Sequence, residues 1–379
     1  MHVALITEFQ LNERHGTGAQ LLKLYQAIGL PFKHYHMCVG PYGKSTVSHS
    51  IRLNLPKLAI PRGERLINRL LFKIGFGWVD RERVNESKLK RVFTSHPHDV
   101  VHVVVGHDAN AFYASRIVAH LERPYVVHVM DLYHPNGLNS DMHGWNSLLQ
   151  GANQCIALTP DIAKELRKCG AHNLVELPIG CAEFAASARA PTSAFVKVAI
   201  TGNLYDGGMR FLASAVPTIR ERFPNLRFFY IGPAAGRLPE AILPITDSAG
   251  FVPDRVEYER LLASCHLGYL SGPDEMNCYG QFSFPSRTVD YLFAGLPVLG
   301  YVASGSAVDH ILGPVKGQSY FPTRDEKALI DAIGRLGDES TAWGYANSSA
   351  LAFARDQFSM ERVSRQLLRS LEHAAKCES

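Results

Sequence analysis

Short apolar strands alternate with amphipathic helices twice along the chain, and this alternation restricts the possible folds more than any other feature. The first series has predicted strands at residues 3–6, 100–105, 125–129 and 155–158. The second series begins with a strand at 197–200 and closes with a helix at 360–375. Such alternation favours parallel β-sheets covered by helices. The sequence therefore predicts the α/β class, with two Rossmann-like, doubly wound domains that face a central cleft.

A stretch of small and polar residues at 185–193 separates the two series. It has neither helical nor strand periodicity, which is typical of a linker. We predict an N-terminal domain at 1–183, a linker at 184–194, a C-terminal domain at 195–357, and a C-terminal helix at 358–379 that packs back toward the N-terminal domain. Ligands of doubly wound sheets bind at the carboxyl ends of the strands, so the cleft is the expected site.

The composition is that of a soluble globular protein with room for two domains. Of 379 residues, 46% are hydrophobic and 20% are charged, and a formal charge of +4 is too small to indicate a nucleic-acid partner. No apolar run reaches the roughly 20 residues that span a bilayer, and the first residues lack the features of a signal peptide. The seven cysteines are scattered singly, which favours reduced thiols and a cytoplasmic location.

One segment of the second series carries a candidate anion site. Pro285 and Ser286 are expected to begin a helix, because proline fixes the first helical φ and a small hydroxyl can satisfy free amides, and Gly295 is expected to end it. The helix N-terminus suits a phosphate, which Arg287 could bind with two donors. Asp290, one turn further, could accept hydrogen bonds from ribose hydroxyls. These residues fit a nucleoside-diphosphate site and an ordinary capped helix equally well.

The order of motifs along nearly the whole chain resembles that of GT-B-fold glycosyltransferases of the retaining family-4 type. No single motif is specific, but all occur in the family's order. They read Asp99-Val100-Val101-His102, Pro124-Tyr125-Val126-Val127 with Asp131 beyond it, Ile156-Ala157-Leu158-Thr159, Leu177-Pro178-Ile179-Gly180, Thr201-Gly202-Asn203-Leu204, Tyr230-Ile231-Gly232, Gly250-Phe251-Val252-Pro253, and Pro285-Ser286-Arg287 with Asp290 and Ala294-Gly295-Leu296-Pro297-Val298. The resemblance implies a nucleotide-sugar donor in the C-terminal domain and an acceptor in the N-terminal domain.

The resemblance also implies roles for residues of both domains, and it implies that no metal or cofactor is required. The donor-binding residues would be Gly16, Gly18, Gly202, Asn203, Arg210, Val252, Pro285, Ser286, Arg287 and Asp290. The acceptor-binding residues would be His15, Thr17, His107 and His134. The catalytic residues would be Asp131, His107 and Arg287.

The chain departs from the family pattern at two places. Many members carry two glutamates eight positions apart, where this chain has Phe282 and Asp290. Asp290 keeps the ribose carboxylate, whereas Phe282 removes a carboxylate that usually contacts the donor sugar. A basic pair that usually follows the first strand of the nucleotide domain is also missing, since Asn203 stands where an arginine is common. Arg210 could supply the lost charge, or it could point into solvent.

Polar residues after the predicted strands of the first series are candidates for acceptor binding. The glycines of the 15–18 loop let backbone amides approach a ligand, or the loop is a plain flexible turn. His107 and Asp131 each follow a strand, so they are expected to face the cleft and could bind acceptor hydroxyls or serve as a general base. The structural alternative is loop capping by Asp131. For His134 neither interpretation is favoured.

A separate signal lies at residues 62–91, where apolar residues recur at helical spacing beside arginines and lysines, with Trp78 following. Basic amphipathic helices with a tryptophan are typical of contacts with a membrane surface. An ordinary surface helix that packs its apolar face on the sheet has the same pattern. Peripheral contact with the inner membrane face is therefore one of two interpretations.

The favoured function is transfer of a sugar from a nucleotide-diphosphate sugar, UDP rather than GDP, to a saccharide or lipid-linked saccharide acceptor. The resemblance implies retention of configuration and independence from metal, and cell-surface polysaccharide synthesis is a suitable context. Two alternatives stay open at this point. One is a nucleotide-sugar 2-epimerase of the same fold, and the other is a non-catalytic sugar-binding partner of a glycosyltransferase.

Overall fold

The computed structural model describes residues 1–9, 11, 16–37, 51–52, 93, 95–96, 98–133, 138, 143–191, 195–273, 278–338 and 340–377. Within these residues the chain forms two parallel β-sheets, one of seven strands and one of six. The strands of each sheet are joined by helices in the alternating order that the sequence indicates. The predicted α/β class with two doubly wound sheets is confirmed.

The first sheet has the strand order β3-β2-β1-β4-β5-β6-β7. Its strands are β1 (Val3–Thr7), β2 (Phe32–His36), β3 (Ile51–Arg52), β4 (Val100–Val104), β5 (Tyr125–Val129), β6 (Gln154–Ala157) and β7 (Leu174–Glu176). Its helices are α1 (Gly16–Ile28), α2 (Asp108–Leu121), α3 (His143–Gln150) and α4 (Pro160–Lys168). The four central strands are buried along their whole length, as expected when helices cover both faces of a parallel sheet.

The second sheet has the strand order β10-β9-β8-β11-β12-β13. Its strands are β8 (Val196–Thr201), β9 (Leu226–Ile231), β10 (Thr246–Gly250), β11 (Leu267–Ser271), β12 (Val298–Tyr301) and β13 (Tyr320–Pro322). Its helices are α5 (Asp206–Arg222), α6 (Arg255–Ala263), α7 (Cys278–Phe282), α8 (Ser286–Phe293), α9 (Ala307–Leu312), α10 (Glu326–Asp338) and α11 (Ser340–Phe358). Among the described helices, none is long and apolar enough to cross a membrane.

The last helix, α12 (Met360–Lys376), returns to the first half of the chain. It packs against α1 and against β4, β5 and β6. Two backbone hydrogen bonds lie where the chain crosses between the halves. The amide of Cys181 donates to the carbonyl of Phe358 at 2.8 Å, and the amide of Met360 donates to the carbonyl of Cys181 at 2.9 Å. The outward and return crossings of the chain therefore lie side by side.

Several elements differ from the sequence-based expectations. Helix α1 begins at Gly16 rather than after the glycines, so part of the expected loop forms its first turn. Strand β10 was not predicted, because its sequence Thr-Asp-Ser-Ala-Gly has no apolar alternation and it lies exposed at the edge of the sheet. The 19-residue helix α11 was also missed, since its alanines and serines give only a weak amphipathic pattern.

Each sheet has one point at which the strand order reverses, between β1 and β4 in the first and between β8 and β11 in the second. Loops at the carboxyl ends of such strands form the ligand crevice of doubly wound sheets. The halves also touch across the cleft. Thr159 Oγ1, after β6, donates to the carbonyl of Phe282 at 3.2 Å, and His310 Nδ1 lies 3.0 Å from Asp161 Oδ2. The two switch points therefore open toward a shared cleft.

Candidate functional site

Helix α8 begins at the carboxyl edge of the second sheet. Pro285 is the N-cap residue, with φ −64° and ψ 128°, and Ser286 is the first helical residue. The helix therefore starts one residue later than predicted, and its cap position makes no side-chain hydrogen bond. Within the described residues, the amides of Ser286 and Arg287 have no hydrogen-bond partner. These two N–H groups and the positive end of the helix dipole are available to an anion.

The other end of α8 is fixed as predicted. Gly295 has φ +71°, and the amide of Leu296 donates to the carbonyl of Tyr291 at 2.9 Å. This backbone pattern commonly ends helices at a glycine, because a left-handed residue there incurs no Cβ clash. The side-chain amide of Asn347 donates to the carbonyl of Gly295 at 2.7 Å and fixes this turn against α11.

The Arg287 side chain lies at the switch point of the second sheet and is only 8% exposed. Its Nη1 donates to the carbonyls of Thr201, at 2.9 Å, and Asn203, and its Nη2 donates to the carbonyl of Ser271 at 3.1 Å. The guanidinium therefore joins the carboxyl ends of β8 and β11. Its Nε has no partner among the described residues. A phosphate contact of Arg287 stays a prediction, since backbone carbonyls occupy the terminal nitrogens.

Asp290 lies on α8 with its carboxylate bound from two sides. Arg255 Nη2 donates to Oδ1 at 3.0 Å, and the Tyr258 hydroxyl donates to Oδ2 at 3.2 Å. The thiol of Cys181 lies 3.9 Å from Oδ1, and burial raises the pKa of this thiol to about 12. A carboxylate accepts about four hydrogen bonds, so Asp290 retains acceptor sites for a diol. The sequence indicated neither partner.

The other predicted donor residues lie around the same edge of the sheet. Gly202 follows β8 with φ +71°. The side chain of Asn203 is exposed, and Arg210 is an exposed residue in the second turn of α5. Val252 is half-buried in the loop after β10. The structure therefore gathers Gly202 and Asn203 beside the Arg287 guanidinium, while Arg210 and Val252 lie on neighbouring elements.

A pocket that is partly open to solvent lies beside the start of α8. Ser271, Ser283, Pro285 and Ser306 are among the residues that line it. Ser271 is 2% exposed, and its hydroxyl has no partner among the described residues. A buried hydroxyl without a partner costs about 1–3 kcal/mol, so a ligand that bonds it would be stabilised there.

Asp131 follows β5 in the first half of the chain and contacts Ser283, one of the residues that line this pocket. The hydroxyl of Thr17 donates to its Oδ2 at 3.3 Å, and the hydroxyl of Ser283 donates to its Oδ1 at 3.0 Å. Burial raises the pKa of Asp131, although the hydrogen bonds from neighbouring hydroxyls oppose that shift. One carboxylate thus contacts the first turn of α1 and the connection between α7 and α8. The predicted residues Asp131 and Thr17 are brought together at the cleft.

His107 lies at the carboxyl edge of the first sheet, where it contacts Glu8, a residue that sequence reasoning missed. Its Nδ1 lies 2.9 Å from Oε1 of Glu8, which follows β1. Glu8 and His107 come from the two strands that flank the first switch point, so the sheet order makes them neighbours. The only sequence signal for Glu8 is its position at the end of a buried strand. The His107 ring also stacks on Tyr133, with centroids 4.1 Å apart.

The remaining predictions fall partly outside the described residues. His15, His134 and the basic stretch at 62–91 lie outside them, and their predicted roles stay predictions. Gly16 is exposed and Gly18 is buried in the first turn of α1. Over the described part of the chain, no group of three or more His, Cys, Asp and Glu side chains could hold a metal ion.

No protein-family model matches the chain, and no curated protein matches it. Solved structures do match. The Anabaena protein HepE in complex with UDP has a TM-score of 0.69 at 14% identity, covering 98% of this chain and 100% of that chain. Sucrose-phosphate synthase from Thermosynechococcus elongatus has a TM-score of 0.67 at 13% identity, covering 97% and 98%. A glycosyltransferase from Rickettsia africae has a TM-score of 0.68 at 10% identity, covering 99% of each chain.

These matches run through both sheets and through the returning helix α12. They define an α/β architecture of two doubly wound sheets whose carboxyl edges share a cleft. The chain has the GT-B fold. At identities of 10–14% the likeness concerns the fold, so the activity has to be argued from the site itself.

Proposed function

We propose that this protein is a glycosyltransferase that moves a sugar from a nucleotide-diphosphate sugar, UDP rather than GDP, to a saccharide or lipid-linked saccharide. One observation carries the proposal. The N-terminus of α8, which has no side-chain cap, lies beside a pocket lined in part by Ser283, and Ser283 bonds Asp131 of the opposite half at 3.0 Å. An anion site thus adjoins a buried carboxylate. HepE, of the same fold, is solved with UDP and with UDP-glucose, which supports a UDP-sugar donor.

The donor would bind to the second half of the chain. The backbone at Val252 would contact the base, and Asp290 would accept hydrogen bonds from the ribose hydroxyls. The free amides of Ser286 and Arg287 would hold the diphosphate. Negative charge develops on the departing nucleoside diphosphate, so donors fixed at this position lower the barrier most. The Arg287 cation, held beside these amides, and the positive end of the helix dipole would stabilise this negative charge without a metal.

The acceptor would bind to the first half of the chain, beside Thr17, His107 and Asp131. Its hydroxyl would attack the anomeric carbon as the bond to the phosphate oxygen breaks. We propose retention of configuration, in which the leaving phosphate oxygen takes the acceptor's proton on the same face. Closure of the halves would exclude water and limit hydrolysis of the donor. The contact between Ser283 and Asp131 at 3.0 Å supports an approach of the two halves at this point.

A cytoplasmic protein that meets the membrane surface through residues 62–91 would suit a lipid-linked acceptor. Cell-surface polysaccharide synthesis is the context that we propose. Binding to vesicles with anionic lipids, lost when the arginines at 62, 65 and 69 are replaced by alanine, would support this part of the proposal. The electrostatic part of such binding should weaken as salt rises.

The experiment that tests the function is incubation with a panel of UDP- and GDP-sugars, followed by analysis of products. Slow release of nucleotide and free sugar, accelerated by acceptors, supports a transferase. A free epimerised sugar would instead identify a 2-epimerase, and binding without turnover would identify a sugar-binding partner. Calorimetry with UDP and GDP accompanies the panel. If neither nucleotide binds, the donor site proposed at α8 is wrong.

A further inference from the structure

The Glu8 carboxylate is held in a pocket of hydrogen-bond donors at the first switch point. Its side chain is only 7% exposed. The amides of Gly106 and His107 donate to Oε2 at 3.0 and 3.2 Å, and Asn110 Nδ2 donates to the same oxygen at 3.1 Å. Three donors on one oxygen fix the position of the carboxylate. The second oxygen, Oε1, contacts the His107 ring.

This contact determines which nitrogen of His107 faces a ligand. An ionised carboxylate only accepts hydrogen bonds, so His107 Nδ1 must carry a proton and donate to Glu8 Oε1 at 2.9 Å. In the neutral ring, Nε2 is then the acceptor. The ring is stacked on Tyr133 with an interplanar angle of 15°, which fixes its plane. Half of the His107 side chain is exposed, so the ring is accessible from the cleft.

We propose that Glu8 is a positioning residue that holds His107 with Nε2 ready to accept a hydrogen bond from a hydroxyl of the acceptor next to the attacking one. The inference rests on the proposed glycosyltransferase function and names a residue for its acceptor site. This hydrogen bond positions the acceptor so that a lone pair of the attacking oxygen points toward the anomeric carbon. The attacking hydroxyl keeps its own proton for the leaving phosphate oxygen. Misplaced nucleophiles react far more slowly, so this orientation affects the rate.

The charges around His107 predict how the arrangement depends on pH. Three carboxylates are close enough to act on the charge of the ring, those of Glu8, Asp108 and Asp131. The hydrogen bond to Glu8 raises the pKa of His107 most, while burial opposes the shift. A protonated His107 cannot accept a hydrogen bond, so activity should fall as pH falls through this raised pKa. Loss of the Glu8 charge should move that fall to lower pH.

The test compares Glu8→Gln with the wild type by two measurements. NMR titration of the His107 ring, assigned with His107→Ala, should show its pKa lowered by about one unit or more in Glu8→Gln. The acidic limb of kcat/KM should move by a similar amount, with a plateau at least tenfold lower. Asp108→Asn is the matched control, because Asp108 bonds Trp145 Nε1 at 2.8 Å rather than the His107 ring. It should shift the titration far less.

A second variant guards against misfolding of the first. Glu8→Asp keeps the charge but shortens the arm, so the plateau of kcat/KM should fall while the acidic limb stays near its wild-type position. A uniform loss of rate in Glu8→Gln, with both the limb and the NMR titration unmoved, would overturn the inference. The NMR titration needs no turnover. It therefore tests the Glu8 contact even if the chain proves not to be a transferase.

Discussion

At the scale of single residues, Arg287 shows how one side chain can serve the fold and the site together. Its terminal nitrogens bond the carbonyls of Thr201, Asn203 and Ser271 at the carboxyl ends of β8 and β11, while its backbone amide, at the start of α8, has no partner among the described residues. Hydrogen bonds from a charged donor contribute about 1.5–3 kcal/mol each. The loops that border the proposed diphosphate site are therefore held by the same cation that supplies positive charge there.

We expect Arg287→Ala to lower turnover at least tenfold, which corresponds to about 1.4 kcal/mol or more of barrier. The variant loses positive charge near the leaving diphosphate and also the links between two loops. Steady-state kinetics with a UDP-sugar would measure the loss, and circular dichroism would verify the fold. Arg335→Ala, at an exposed position on α10, is the control and should keep wild-type rates. Wild-type turnover in a folded Arg287→Ala protein would exclude the assigned role.

The site residues could be predicted from the sequence only where their positions depend on neighbours along the chain. The start of α8 and the stop at Gly295 follow from neighbours in sequence, so the helix was placed to within one residue. Glu8 and His107 are 99 positions apart, and Arg255 and Asp290 are 35 apart. Such pairs depend on strand order and helix packing. No periodicity along the chain specifies them.

At the scale of the element, the end of α8 is the most constrained turn in the proposed donor site. Gly295 has φ +71°, and a Cβ added there would collide with the side-chain amide of Asn347. The helix cannot extend through this residue, so its N-terminus keeps a fixed distance from the sheet. Elements with weaker signals escaped prediction for a physical reason. Edge strand β10 is polar, and α11 buries mainly small side chains.

Gly295→Ala should lower the free energy of unfolding by about 1–3 kcal/mol, since alanine is strained at positive φ and would also displace Asn347. Urea denaturation followed by fluorescence would measure the change. Gly313→Ala is the matched control. Gly313 has φ −47° and open space around its Cβ position, so its replacement should change the free energy by no more than about 1 kcal/mol. Equal effects of the two substitutions would contradict this account of the turn.

At the scale of the whole molecule, buried histidines tie the stability of the first half to pH. His34 and His128 are at most 1% exposed, and burial lowers the pKa of each to about 3, with the neighbouring His36 adding to the effect at His34. An unfolded histidine has a pKa of about 6.5. Below that pH the unfolded state binds more protons than the native state, so the native state loses stability as pH falls.

We expect the free energy of unfolding to fall as pH is lowered from 7 to 5, by about 1.4 kcal/mol per pH unit for each such histidine below pH 6.5. Asp131 acts in the opposite sense, because its raised pKa means that the native state takes up a proton more readily. Urea titrations at several pH values would measure the slope. His128→Leu should reduce this slope by about 1.4 kcal/mol per pH unit, the contribution of one histidine. His373→Leu, at an exposed position on α12, should leave the slope unchanged. A wild-type protein that gains stability at pH 5 would contradict the prediction.

The paired crossings of the chain at Cys181, Phe358 and Met360 decide how the two halves can move. Two connections placed side by side act as a single pivot, so the halves can only swing about it, and points far from the pivot travel furthest. Asp290 lies 3.9 Å from the Cys181 thiol and would hardly shift during the swing. A nucleoside bound at Asp290 would therefore keep its position while the two halves open and close.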